Sequence, residues 1–475
     1  MTDTFDEPQD SNDDNPVSQE GYNRQLSRRH VQMIALGGAI GTGLFLGAGS
    51  RLQQAGPSLV IVYAVCGLCA YMILRAMGEL VMYCPTSGSF VTYTREFLGE
   101  WAAYTSGWFS FLNWSMTGIA DITAIALYVH YWPLFNDIPQ WIIALVALII
   151  VGGINLAGVR QFGEIEFWLS LIKILTLIAF LIVAGTILFM GIEVGHHKPG
   201  LTLIADSGGI FPHGIIAPLM LVQGVVFAYA GTEIIGVAAG ECEDPRKVIP
   251  RAVNSVIWRI LLFYVGSIAL LVLVLPWTDY KAGVSPFVTF FEKLGIPGID
   301  NIMNFVVMMA ALSSLNSGLY STGRVLRALA LGGSGPQSLA KLSNRSVPYM
   351  GILATLAIYL VGVGLNYLIP SQVFEVVLSL SSLGILGTWA SIVLCQLQLH
   401  KRIQSGEIPS TGFDMPLAPY SGWITIIFLI FIVVMMVFDY PSGTFAVAAI
   451  PFLAALFWGG WTLLKRRNHT DTSDP

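Results

Sequence analysis

An all-α membrane protein of twelve transmembrane helices is the fold this sequence predicts, and three observations carry the prediction. Of the 475 residues, 55% are hydrophobic and 11% charged, and the mean hydropathy is +0.69. Ordinary soluble domains carry roughly 25% charged residues, and no soluble fold hides this much apolar surface. Apolar runs of about 20 residues recur along the chain, each long enough to cross a hydrocarbon core of roughly 30 Å as a helix. Lys and Arg, finally, are distributed very unevenly among the segments that connect those runs.

Taken in order, the runs lie near 32–52, 57–82, 102–130, 138–157, 165–190, 214–239, 253–275, 300–328, 348–368, 373–398, 421–438 and 443–464. Stretches such as Trp141 to Val151 do not alternate, which excludes the barrel, the other way to satisfy backbone groups in lipid. The first 20 residues hold Asp3, Asp6, Glu7, Asp10, Asp13, Asp14 and Glu20 and no Lys or Arg. That is a solvated, disordered tail rather than a signal peptide. These seven acids exceed the formal net charge of −5, and the rest of the chain carries +2. The acidic balance therefore points to no partner, nucleic acid included. The organisation expected is a cytoplasmic tail over 1–22, one transmembrane domain over 23–467, and a short cytoplasmic tail over 468–475.

An even number of spans puts both ends on one side. Assigning the termini and alternate connections to that side gathers eighteen Lys and Arg, against Arg51, Lys198, Lys281 and Lys293 on the other. The positive-inside rule then places both termini in the cytoplasm. Five cysteines are scattered, four of them in or at the end of apolar runs, so neither a disulfide framework nor a metal site is expected. The CxxC spacing of Cys66 and Cys69 within an apolar helix reads as two small packing residues.

Two spans differ from the rest. The first contains Gly37, Gly38, Gly41, Gly43, Gly47 and Gly49, and the sixth reads Gln223 to Glu233 with Ala228-Tyr229-Ala230-Gly231-Thr232 at its centre. Glycine costs roughly 1 kcal/mol against alanine inside a helix, so six in one span require a reason. Close helix packing through small-xxx-small spacing is one. An unwound stretch is the other: its freed N–H groups, at the positive end of a half-helix, hold a carboxylate. The second break would then offer carbonyls to an ammonium group. The two spans stand first in successive blocks of five, the placement expected of discontinuous helices in an inverted-repeat transporter.

Ionisable groups inside spans are costly and so count as functional candidates. Lys173, the one charge between Phe167 and Met190, either titrates or holds a helix-break carbonyl, or else snorkels to the interface. Glu233 directly follows the second break and reads as a gate or proton site, or as a carboxylate in a wet vestibule. Asp121 faces either a polar cavity or a neighbouring helix. Arg75 and Glu79, four apart, are expected to form an intrahelical pair. The polar clusters Ser313-Ser314, Asn316-Ser317 and Ser379, Ser381, Ser382 suit either interhelical hydrogen bonds or substrate contact. No nucleophile, metal set or cofactor loop is recognisable, so an enzyme and a cofactor are not expected; nor is a channel filter.

Several long strings are nevertheless familiar. HVQMIALGGAIGTGLFLGAG, GELVMYCPTSGSFVTYTREFLG, GEIEFWLSLIKI and GECEDPRKVIPRAVNSVIWRI resemble the amino acid permeases of the amino acid, polyamine and organocation superfamily, from Gly21 to Lys465. FLNWSMTGIADITAIALYVHYW, SPFVTFFEKLGIPGI and ALSSLNSGLYSTGRVLRALALGGSGP are most similar to the bacterial branch that carries L-asparagine. A branch carrying D-alanine, D-serine and glycine is the nearest alternative. The resemblance implies a five-plus-five inverted repeat, alternating access, and proton-coupled import across the bacterial inner membrane. It places the substrate at Ile40, Gly41, Thr42 and Gly43 and at Phe227, Ala228, Tyr229, Ala230 and Gly231. Asp121, with Asn316 or Ser381, would bond the side-chain amide, and Tyr229 would lie over the ligand. Lys173 matches the lysine that takes the place of a sodium ion in sodium-coupled members, and it would couple protons alongside Glu233. Relatives for aromatic and basic substrates usually have glutamate where Asp121 stands, so the shorter acid favours a small neutral amino acid. An amino acid receptor without sustained flux is the alternative from another class.

Overall fold

The structure is a computed structural model and describes residues 26–27, 29–30, 33–34, 40–86, 89–242, 244–370 and 373–471. The acidic segment over 1–22, Gly37, Gly38, Arg24, Arg28 and the end of the 468–475 tail lie outside the described residues. Regular structure among the described residues is helical, with isolated bridges joining Leu26 to Cys242 and Val194 to His197.

Nine helices among the described residues are long and apolar enough to cross a membrane: Gly47–Tyr83, Gln140–Ala157, Val159–Met190, Pro245–Val274, Ile299–Leu331, Tyr349–Leu368, Val373–Gln404, Tyr420–Phe438 and Ser442–Arg466. Each coincides with a predicted run. The predicted runs outside this set have visible reasons. In the first, Met33 and Ile34 are helical, Ile40 and Gly41 are not, and helix resumes at Thr42; its second half joins Leu59–Tyr83 through the single turn Gly56–Ser58. The sixth is cut into Val222–Phe227 and Ile234–Ala238. The third, Glu100–Val129, is continuous but carries Glu100, Asn113, Asp121 and a series of hydroxyls.

Burial sorts the helices into a centre and a rim. Over their most apolar stretches Ile299–Leu331 and Val373–Gln404 are 72% buried, whereas Ser442–Arg466 is 6% buried. Glu100–Val129 packs along both central helices. Its Asn113, Thr117, Asp121 and Thr123 side chains therefore face protein, while Ile149, Ile182, Phe189, Trp258, Ile427 and Phe452 are exposed on the outside of the bundle. A polar interior inside an apolar shell is the pattern of a multi-pass membrane protein.

Two expectations about charges need correction. Arg75 and Glu79 do not pair, because each is claimed by other segments. Arg75 donates to Asn254 Oδ1 at 2.8 Å and to the Asp414 carbonyl, and its guanidinium lies over the Phe413 ring. Glu79 Oε2 accepts from Gln396 Nε2 at 3.0 Å and from the Met415 N–H at 2.9 Å. Among the eighteen cationic residues assigned to connecting segments, Arg259, Arg324 and Arg327 are buried in helices. Arg324 pairs with Glu241, also fully buried, which supplies the counter-charge that a guanidinium needs in a low dielectric.

Candidate functional site

The first break is held open by a lysine from another helix. Gly41 is extended, with φ −130° and ψ −157°, and the short helix Thr42–Phe45 starts after it. The N–H groups of Thr42 and Gly43 therefore lie in the first helical turn, and that of Gly41 just before it, where no intrahelical carbonyl reaches them. The matching orphan acceptor is the Ile40 carbonyl, and Lys173 Nζ donates to it at 3.0 Å. Lys173 belongs to Val159–Met190 and is fully buried, which rules out snorkelling.

From Lys173 a polar chain runs along its own helix and through two further helices. Lys173 Nζ also donates to Ser313 Oγ at 2.8 Å, and Ser313 Oγ donates to Glu166 Oε1 at 2.5 Å. Ser170 Oγ reaches the same carboxylate oxygen at 3.0 Å, and Asn316 Nδ2 reaches Oε2 at 3.2 Å. Asn155 Nδ2 closes the chain on Asn316 Oδ1 at 2.7 Å. Asn316 thus spends both ends of its amide within the protein. Glu166 is the buried acid of this cluster that reading the sequence missed. It lies seven residues before Lys173, a two-turn spacing that shares one helix face, and just outside the Phe167–Met190 stretch in which Lys173 stands alone.

On the other side of the break, Thr42 Oγ1 donates to Asp121 Oδ1 at 2.8 Å. Asp121 is fully buried, and its Oδ2 has no hydrogen-bond partner among the described residues. A buried carboxylate oxygen left open this way is expensive unless something occupies it. Ser314 stands close by, its Oγ 3.2 Å from where a Cβ on Gly41 would be.

The second break is built from packing. Val222–Phe227 tightens into three-residue turns, with the Ala228, Tyr229 and Ala230 N–H groups donating to the Val225, Val226 and Phe227 carbonyls. Gly231 sits at φ +90°, a left-handed conformation that favours glycine, and lets the chain re-enter helix at Ile234. The two breaks touch: a Cβ on Gly43 would fall 2.5 Å from Ala228 Cα and 3.0 Å from Phe227 Cδ1. Glu233 is buried. Its Oε2 accepts the Gly231 N–H at 3.2 Å and Trp389 Nε1 at 3.4 Å, while Oε1 has no partner among the described residues.

Two predicted contacts sit elsewhere. The Tyr229 ring stacks on Tyr264, with centroids 4.5 Å apart, and its hydroxyl donates to the Tyr63 carbonyl at 2.7 Å. It is fully buried behind the break, so a lid over the ligand does not fit this geometry. Ser381 joins Asn113 Oδ1 at 2.8 Å and Thr117 Oγ1 at 2.7 Å, and the Asn113 Nδ2 remains without a partner among the described residues. Ile40, Gly41, Thr42, Asp121, Lys173 and Asn316 thus lie in and around one polar cluster. Gly43 joins it to Phe227 and Ala228, while Gly231 and Glu233 form a second cluster and Ser381 a third.

Comparison with known proteins finds matches along nearly the whole chain. Residues 30–473 match the family model described as amino acid permease. Two proteins named L-asparagine permease, from Salmonella typhimurium and Escherichia coli, are each 58% identical over 449 residues, covering 94% of this chain and 90% of the relative. A third of that name, from Streptomyces coelicolor, is 52% identical over 447 residues, covering 94% of this chain and 91% of its own.

Proposed function

Because the chain belongs to the amino acid permease family, we propose that it imports L-asparagine across a bacterial inner membrane by proton-coupled alternating access. The names of its relatives support the substrate. The observation that carries the site is Asp121, buried beside the N–H groups of the first break, with one oxygen held by Thr42 and the other open. The substrate carboxylate binds the N–H groups near Gly41 to Gly43, and its ammonium meets carbonyls near Phe227 to Ala230. Asp121 then bonds the side-chain amide, with the free Asn113 amide beside Ser381 within the same bundle. A polar site left unpaired by an apolar competitor costs about 1–3 kcal/mol, which disfavours leucine-like substrates.

Lys173 carries the coupling. When protonated it bonds the Ile40 carbonyl and, through Ser313, the Glu166 carboxylate, and so fixes the first break in one geometry. Losing the proton releases that carbonyl. Glu233, bound to the Gly231 N–H, gates the second break. Both termini lie in the cytoplasm, and the twelve-span, five-plus-five repeat supplies the two breaks at corresponding positions.

The test is uptake of radiolabelled L-asparagine into vesicles containing the purified protein under an inward proton gradient, with D-alanine, D-serine, glycine and L-glutamine as competitors. Uphill uptake that collapses with a protonophore and resists D-alanine is expected. Uptake blocked by D-alanine or glycine but not by asparagine would move the substrate to the alternative branch. Saturable binding without accumulation would make the chain a receptor.

A further inference from the structure

The same two broken helices frame a second polar chamber that the central site does not use. It encloses about 260 Å³ and is lined by Ser50, Arg51, Gln54, Gln223, Glu375 and Asp439, among others. That is slightly below the roughly 300 Å³ at which pockets for drug-sized ligands begin, a size suited to one small metabolite. Arg51 stands eight residues after Gly43, and Gln223 five before Ala228. The chamber therefore lies along both helices from the breaks, towards the end marked by Gly49, which packs on the Lys281 and Val284 carbonyls.

Arg51 is only 3% exposed, yet its Nη1 has no hydrogen-bond partner among the described residues. Its guanidinium is wedged between the two broken helices: a Cβ on Gly47 would fall 2.1 Å from Nη1, and one on Gly224 2.4 Å from Nε. Gln223 is 6% exposed; its Nε2 donates to Asp439 Oδ2 at 3.0 Å while its Oε1 lacks a partner among the described residues. The chamber thus presents one enclosed guanidinium, two carboxylates (Asp439 and the exposed Glu375) and an unsatisfied amide oxygen. A guanidinium fork matches a carboxylate, and paired acids match an ammonium.

We propose that this chamber is a second binding site for an α-amino acid, its carboxylate on Arg51 and its ammonium between Asp439 and Glu375, with Gln223 accepting a further N–H. The site rests on the amino acid reading above and extends it: the chamber collects substrate before the central site receives it. It recognises the amino acid backbone, so its side-chain selectivity is weaker than that of the site at Asp121.

Equilibrium dialysis of the purified full-length protein against radiolabelled L-asparagine tests the proposal. Two molecules per chain are expected for the wild type and one for Arg51→Gln. Because Arg51 is buried and its replacement risks misfolding, Asp439→Asn and Glu375→Gln at the chamber wall are measured beside it. Each should weaken one site by about tenfold or more and leave the other unchanged. Asp121→Asn should weaken the other site alone. One molecule per chain in the wild type, with affinity unaltered by Asp439→Asn and Glu375→Gln, would overturn the chamber. If asparagine does not bind, glycine and D-alanine take its place: two sites of the same variant dependence keep the chamber while the asparagine assignment fails. Binding insensitive to all three chamber substitutions refutes it with any of these ligands.

Discussion

The two helix breaks touch at Gly43 and Ala228 but are maintained by different physics. The first is anchored from outside its own helix by charge: Lys173 on the Ile40 carbonyl, with Glu166 behind it through Ser313, and Asp121 on Thr42. The second is maintained from within by a left-handed glycine, three-residue turns and aromatic packing, with Glu233 as its one buried carboxylate. A break fixed by a titratable group changes its energy when a proton arrives. A break fixed by packing changes when its neighbours move. The proposed proton coupling therefore assigns the conversion of proton binding into geometry to the first break, and the role of a hinge that follows to the second.

Substitutions on the charged side sharpen this contrast most. Lys173→Ala removes the donor from the buried Ile40 carbonyl and the cation that faces Glu166 through Ser313, and a buried polar group left unsatisfied costs about 1–3 kcal/mol. Concentrative uptake should vanish, while downhill exchange measured in the same vesicles survives. Accumulation against a gradient with an unchanged pH profile would remove the lysine from the coupling step. Glu166→Gln keeps the shape but not the charge, and should shift the pH dependence of uptake with little change in protein yield. At the meeting point, Gly43→Ala drives a methyl into the Ala228 backbone. Overpacking of this kind costs about 1–3 kcal/mol, so uptake should fall about tenfold or more with the pH profile preserved.

Smaller effects are expected on the packed side. Glu233→Gln retains an acceptor for the Gly231 N–H and for Trp389, and should slow transport by a few-fold, on the order of 1 kcal/mol, without uncoupling it. Loss of proton dependence in this variant would transfer the coupling role to the second break. Tyr229→Phe deletes one hydrogen bond, to the Tyr63 carbonyl. It should lower the thermal midpoint by a few degrees, about 1 kcal/mol, and leave the KM for substrate unaltered. A large rise in KM would instead bring the tyrosine back over the ligand.

Hydropathy was enough to locate each apolar run, because a span must be long and continuous whatever it packs against. The breaks were legible for a similar local reason: glycine at Gly41 and Gly43 and the small stretch around Gly231 contradict helix propensity wherever the helix lies. Lys173 stood out as a charge alone in an apolar field, and one of its anticipated roles, holding a helix-break carbonyl, is the contact observed. What the sequence could not show was which faces meet. Thr42 and Asp121 are 79 residues apart, and nothing local says that one donates to the other. Glu79 left its helical neighbour Arg75 for Gln396 and Met415, since i,i+4 spacing brings groups near each other but does not exclude better partners. Tyr229 turned towards Tyr63 and Tyr264 because those rings fill the space behind the break, which depends on two other helices.

Proton movement through Lys173 is proposed to accompany substrate movement. The most direct test encloses a pH-sensitive dye in vesicles containing the protein, with no imposed gradient, and adds L-asparagine outside. Acidification of the lumen on addition, absent with Lys173→Ala, is the predicted result. Asparagine entry measured in parallel with no acidification by the wild-type protein would contradict the account.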